Sequence, residues 1–148
     1  MDCPAASFAD PFARIDPCSA AEVAVAALET VFTYRPSEQA DQRSSFRAAT
    51  PLMTTDFAAR WDTTGPVLAP ITSMRWQQWR RLGIVLTATA RLGDDDHPAD
   101  TDTLFARVAT VALHPGGGTP STSLVVYIRA IRPNSPAGWR ISALEVRT

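Results

Sequence analysis

Two spacings of apolar residues divide the chain. Over residues 19–61 they recur at helical intervals, and from residue 84 onward they alternate as in strands. The clearest helical stretch is Ser19–Thr33. Ser19 stands at the N-cap with Glu22 three residues on, the capping-box pairing. Ala24, Leu28 and Val31 share one face, widened by Ala27 and Phe32, while Glu22, Glu29 and Thr33 fall mostly elsewhere. Pro36 forbids continuation, so the helix is expected to stop by about Tyr34 or Arg35. Ala20, Ala21, Ala24, Ala26 and Ala27 keep it slim enough to lie close on a sheet.

Further helical stretches follow. One begins at Asp41, with Phe46 and Ala49 inward and Arg43 and Arg47 outward. After the Thr50-Pro51 break, another runs from Thr54 or Thr55 to about Trp61, with Phe57, Ala58 and Trp61 as its apolar face. Residues 62–72 read as loop, because Gly65, Pro66 and Pro70 exclude regular structure. Arg75–Arg81 fits a short helix, or the start of a strand bent by a bulge at Gly83.

In Ile84–Arg91 the residues Ile84, Leu86, Ala88 and Ala90 alternate with Val85, Thr87, Thr89 and Arg91, a half-buried strand. Thr103–Leu113, Thr122–Arg132 and Gly138–Arg147 complete four strands, separated by an acidic loop at 93–102, a Pro-Gly-Gly-Gly turn at 115–118 and a turn at 133–137. Connections this short imply antiparallel neighbours. Helices first and strands last predict an α+β domain, in which N-terminal helices pack on a curved four-stranded antiparallel sheet that wraps the first helix. Apolar residues on both faces of several strands predict a sheet covered on one side and partly occluded on the other. Residues 1–18 read as an N-terminal arm and 19–148 as a single domain.

Composition narrows the function classes. A net charge of −1 gives no electrostatic reason to expect nucleic acid or an anionic membrane as partner. All 14 basic residues are arginine, which leaves no amine for Schiff-base chemistry. No apolar run reaches the ~18–20 residues of a membrane span, and the first residues lack the basic start and apolar core of a signal peptide. Cys3 and Cys18 flank the arm. They are either two free thiols or a disulfide, and we expect the disulfide, because Phe8, Phe12 and Ile15 have the spacing of a packed face. A disulfide here implies an oxidising compartment.

Several segments together resemble the nuclear transport factor 2-like superfamily over nearly all of residues 19–148. They are the helix ending in Phe32-Thr33-Tyr34-Arg35, Arg43 with Thr54–Trp61, Trp76-Gln77-Gln78-Trp79, Pro98–Thr101, and the final-strand Gly138-Trp139-Arg140-Ile141. Within that superfamily the chain is similar to TcpC-like periplasmic scaffold domains of actinobacterial type IV secretion and conjugation systems. The resemblance implies a cone-shaped α+β fold and a bitopic protein, with a short cytoplasmic tail, one membrane span and this domain outside. This chain departs from that pattern in lacking the span, so membrane attachment would need an upstream anchor. A natural start at Met1 would instead imply a cytoplasmic protein.

Enzymes of this superfamily carry out proton transfer in the open end of the cone. Tyr34, Asp41, Asp56 and Tyr127 are the polar candidates here, and Tyr34 and Tyr127 are expected either to line a cavity or to be core tyrosines with the hydroxyl at the rim. Trp61, Trp76, Trp79 and Trp139 either floor a ligand pocket or plug the cone, and plugging is the preferred reading. Alternatively, Trp76 and Trp79 face opposite or oblique directions and one ring is exposed as a protein-contact anchor. His114 has no carboxylate partner in view, and Asp94, Asp95, Asp96 and His97 lack the spacing of a calcium loop. No metal, cofactor or catalytic set is expected. The sequence thus points to a non-enzymatic, extracytoplasmic scaffold domain of a conjugation apparatus, associating with itself and with other subunits. The alternatives are a ligand binder or enzyme of the ketosteroid isomerase or polyketide cyclase type, and an accessory protein of lipid import.

Overall fold

Ser19 starts the first helix as an N-cap, its Oγ accepting from Glu22 N at 3.2 Å. The return half of the capping box is displaced. Glu22 Oε2 accepts from the backbone N–H of Asp16 at 3.1 Å, so the box reaches into the arm rather than closing on Ser19. A computed structural model describes residues 3–64, 69–94 and 96–147, with the backbone alone for 60–64. In it the first helix, α1, is Ala20–Val31 and buries Val23, Ala24, Ala27, Leu28 and Val31. It ends three to four residues before the limit set by Pro36. Tyr34 is needed elsewhere: its N–H and C=O both pair with Leu86, each at 2.9 Å.

Three shorter helices follow. α2 is Arg43–Ala48, with Phe46 inward and Arg43 and Arg47 exposed. A 3₁₀ turn at Thr50–Leu52 carries the Thr50-Pro51 break. α3 is Thr55–Thr64, started by Thr54 Oγ1 accepting from Phe57 N at 3.1 Å. It extends three residues past the expected end at Trp61, because the breakers Gly65 and Pro66 lie beyond it. α4 is Ser73–Leu82 and resolves the ambiguity at 75–81 in favour of helix. Thr72 caps its start by accepting from Arg75 N, and Gly83, at φ 66°, ends it in the left-handed region. Ile84 N then bonds back to Trp79 O, so Gly83 is a helix stop and not a strand bulge.

The strands are β1 (Leu86–Leu92), β2 (Leu104–Pro115), β3 (Thr122–Ile131) and β4 (Arg140–Arg147). They form one open antiparallel sheet in the order β1-β2-β3-β4. Register places Leu86, Ala88, Ala109, Val111, Leu113, Val126, Ile128, Ala130, Ile141, Leu144 and Val146 on the inner face, all buried. α1 crosses that face in contact with every strand, and Ala24 and Ala27, both fully buried, permit the close approach. The outer face carries Thr87, Thr89, Arg91, Thr110, Val125, Tyr127, Arg129, Glu145 and Arg147. It is partly occluded, as the two-sided pattern predicts: Ala106 is buried, and so is Ser142, which Arg129 Nε reaches at 3.0 Å.

α1 also closes one edge of the sheet. Besides the Tyr34–Leu86 pairing, Thr33 Oγ1 accepts from Ala88 N at 3.1 Å and Glu29 Oε2 from Ala90 N at 3.0 Å. Thr33 Oγ1 itself donates to Glu29 O, and Ser45 Oγ donates to Thr33 O, which ties α2 to the same point.

The arm packs on the far end of the sheet. Phe8 and Phe12 are buried in the common core, Trp139 N donates to Pro17 O at 2.8 Å, and the Arg140 guanidinium lies 4.4 Å over the Phe8 ring. Gly138 makes room for this contact, since a Cβ there would lie 3.0 Å from Arg140 Nη1 and 3.3 Å from the Pro17 side chain. Cys3 and Cys18 are joined as a disulfide, with Cα atoms 5.7 Å apart, inside the usual range. Among the described residues, no helix is long and apolar enough to cross a membrane.

Two outcomes test this arrangement. Replacing both cysteines by serine should lower unfolding free energy by about 3 kcal/mol, the loop-closure value for a cross-link of this span, measured by urea titration. Thr33→Val should cost roughly 1–3 kcal/mol, because it keeps the shape but strands the Ala88 N–H; the Ala88 amide should exchange faster with solvent deuterium.

Candidate functional site

The end of α1 and the start of α4 bring two of the sequence candidates together. Tyr34 and Trp76 meet edge to face, with ring centroids 5.7 Å apart. Tyr34 has no exposed surface and Trp76 only 6%. Among the described residues, neither Tyr34 Oη nor Trp76 Nε1 has a hydrogen-bond partner. The phenol lies beside Gln42 and the Ala69 backbone, without good hydrogen-bond geometry to either; Gln42 Nε2 donates instead to Ala69 O at 2.9 Å. Burial therefore pushes the Tyr34 phenol well above its ordinary range and keeps it neutral.

Over Trp76 opens a crevice of about 150 Å³ between the 40–42 turn and the start of α4, lined among others by Asp41, Gln42, Thr72 and Ser73. Asp41 belongs to this rim, where its Oδ1 accepts from Arg43 N. Such a crevice has the size for a few waters or a very small polar molecule, well below the ~300 Å³ of a usual ligand site. Trp76 lines it, and Tyr34 packs against that ring.

The other candidates lie apart. Trp79 is buried on the same face of α4 as Trp76, under the Arg75 guanidinium at 5.5 Å, beside a separate crevice of about 240 Å³ that includes Ile71, Pro115 and Pro120. Neither ring is exposed as a contact anchor, because residues three apart on a helix share a face and here that face meets the core. Tyr127 does not line the hollow. It is on the outer face of β3, half-buried, with Arg147 at 5.5 Å over its ring. The side chain of Trp61 lies outside the described residues. Trp139 is buried at the arm end, with Arg132 at 4.5 Å over it. The tryptophans therefore close the two ends, while the middle of the inner face is filled by aliphatic side chains. Asp56 is exposed in the first turn of α3.

Among the described residues, neither histidine hydrogen-bonds a carboxylate. His114 lies between two hydroxyls, Ser121 Oγ at 2.8 Å and Thr89 Oγ1 at 2.9 Å. His97 Nδ1 contacts Pro98 O and Arg107 Nη1. Arg107 forks onto Asp100 at 2.7 and 2.8 Å and holds its carboxyl below the usual carboxylate range, pinning the acidic loop to β2. Among the described residues, the one cluster of metal-ligating types is Cys3, Asp16 and Cys18, and its two sulfurs are bonded to each other.

Comparison with protein-family models, curated proteins and solved structures finds no match for this chain.

Sequence reasoning singled out Tyr34 and Trp76 but missed Gln42 and Ala69. No local pattern marks those two, since their meeting depends on how the 40–42 turn lies against the chain before α4. Tyr34→Phe reads the site directly. With no partner lost, stability should stay within about 0.5 kcal/mol of wild type or rise. A drop of 2 kcal/mol or so in thermal unfolding would mean that the hydroxyl holds a bound water or ligand.

Proposed function

We propose that this is a non-enzymatic assembly domain with a nuclear transport factor 2-like cone, displayed outside the cell membrane and working through contacts with copies of itself and neighbouring subunits of a conjugation or secretion apparatus. One observation carries the reading. The inner face of the sheet, where enzymes of that superfamily keep their pocket, is filled by Val23, Leu28 and Val31 of α1 and by Phe8 and Phe12 of the arm. Contact surface remains on the other side, where Val125 is 46% and Ile131 37% exposed between arginines. The Cys3–Cys18 disulfide supports an oxidising compartment.

A second reading, a binder of a small polar molecule, draws support from the unpartnered Tyr34 and Trp76 donors. Sedimentation equilibrium of the wild-type chain separates the two. Reversible self-association, without a thermal shift from small carbonyl or carboxylate compounds, is the outcome expected of an assembly domain. A chain that stays monomeric and is stabilised by such a compound, with the shift abolished in Tyr34→Phe, overturns the assembly reading.

A further inference from the structure

Charge is segregated along this chain. None of its 15 acidic residues lies between Asp62 and Asp94, a stretch that carries Arg75, Arg80, Arg81 and Arg91. α4 belongs to that stretch, and of its ten residues only Trp76 and Trp79 are buried. Those two rings hold the helix to the body, and its opposite side faces outward. At about 3.6 residues per turn, Met74, Gln78 and Arg81 run down the middle of the outward side, with Leu82 beside them and Arg75 and Arg80 on the flanks. Met74 is 81% and Leu82 64% exposed, the two most exposed large apolar side chains among the described residues. Arg80 and Arg81 make no ion pair or side-chain hydrogen bond among the described residues. Their place in the last turn suits the helix dipole, but the dipole gives no reason for two apolar side chains to stand in water on the same side. The surroundings keep this character. Gly116 N of the β2–β3 turn donates to Val85 O at 3.2 Å, Pro115 and Pro120 share a crevice with Arg75 and Trp79, and residues 115–124 carry no charge. On the other flank a single carboxylate, Asp41, shares the crevice with Ser73 and Gln77. The acidic loop at 93–102 is at the far end: α4 leads into the start of β1 and the loop leaves its end, about 20 Å away at the rise of a strand. The net charge of −1 averages over this separation.

We propose that the outward side of α4 docks on the surface of a lipid bilayer rich in anionic headgroups, with Met74 and Leu82 entering the headgroup region and Arg75, Arg80 and Arg81 meeting lipid phosphates. Each half of the pattern excludes a different occupant. A nucleic acid would use the arginines but offers no apolar layer to Met74 and Leu82. An apolar groove on a protein would take the apolar pair and leave three cations desolvated without counter-charge. An anionic bilayer supplies phosphates and hydrocarbon in adjacent layers. Size separates lipid from protein as well. A helix of this length is about 15 Å long and about 10 Å across, a footprint well short of the ~800 Å² per partner of a stable protein–protein contact. A bilayer needs no matching shape and closes around a single protruding helix. The separation of charge also sets the orientation, with the basic end toward the headgroups and the acidic loop turned away from them. The contact does not depend on self-assembly. Two apolar anchors and three cations give weak, reversible binding, which a second attachment or several joined copies would strengthen.

The test is co-sedimentation of the full chain with vesicles of phosphatidylcholine alone and of equal parts phosphatidylcholine and phosphatidylglycerol. Binding should appear only with the anionic vesicles and weaken as salt rises, because exposed charges are screened. Arg80→Gln and Arg81→Gln should each lower the partition coefficient roughly fivefold. Met74→Gln with Leu82→Gln should lower it roughly tenfold or more. All four positions are exposed, so folding is preserved and circular dichroism checks it. Arg14 and Arg43, exposed elsewhere on the surface, control for charge alone. Arg14→Gln with Arg43→Gln should leave binding within about twofold, because they lie outside the docking face. Equal loss in that control pair, indifference to Met74→Gln with Leu82→Gln, or equal binding to both vesicle sets each overturns the contact. So does self-association without lipid that the apolar pair of substitutions abolishes, which assigns the face to a second copy. Binding to a DNA duplex in the absence of vesicle binding overturns it in favour of nucleic acid. A wild-type chain that associates with itself and ignores vesicles overturns the lipid contact and leaves the assembly reading standing, and one that binds vesicles as a monomer does the reverse.

Discussion

The seating of α1 across the sheet is the constraint from which the other features follow. A helix can lie this close to a sheet only if its contact face is narrow, and Ala24 and Ala27 supply that face between Val23, Leu28 and Val31. Position along the helix matters as much as face. The last turn of α1 and the residues just after it bring Glu29, Thr33 and Tyr34 level with the edge of β1, where each answers one backbone N–H. Burial of apolar surface and satisfaction of a strand edge are thus achieved by the same placement. Exposed edges template unwanted pairing, so a helix that fills one of them also limits how the sheet can grow.

The opposite end of the helix is held by different means. The arm cannot form a sheet or a helix of useful length, and its two buried phenylalanines are a small anchor for so many residues. The disulfide shortens the loop it must order, and the displaced capping box ties Asp16 to Glu22. Gly138 completes the fit by omitting the side chain that would collide with Pro17 and Arg140. The inner face is consequently filled from both directions, by α1 in the middle and by the arm at the β4 start.

A filled interior shifts attention to surfaces. The outer face offers mixed arginine and apolar character. Against this stands one buried oddity. Tyr34 and Trp76 each bury a donor that finds no acceptor among the described residues, a state that costs free energy unless a water or ligand relieves it. The crevice over Trp76 is small.

The sequence by itself determined the element order, the buried face of α1, the alternation in β1 and the short antiparallel connections, and it left Cys3 and Cys18 as either free thiols or the disulfide that the structure shows. Each rests on local spacing or on the small number of possible partners. Tertiary structure alone decided where α1 stops, because Tyr34 exchanged a helical bond for two with Leu86, 52 residues later. It alone decided that Trp76 and Trp79 both turn inward and that Tyr127 turns outward, since a strand's periodicity separates its faces without saying which one meets the helix. And it alone decided that the β1 edge is sealed by Glu29, Thr33 and Tyr34, because that depends on the level at which α1 crosses the sheet, a distance that no spacing along the chain encodes.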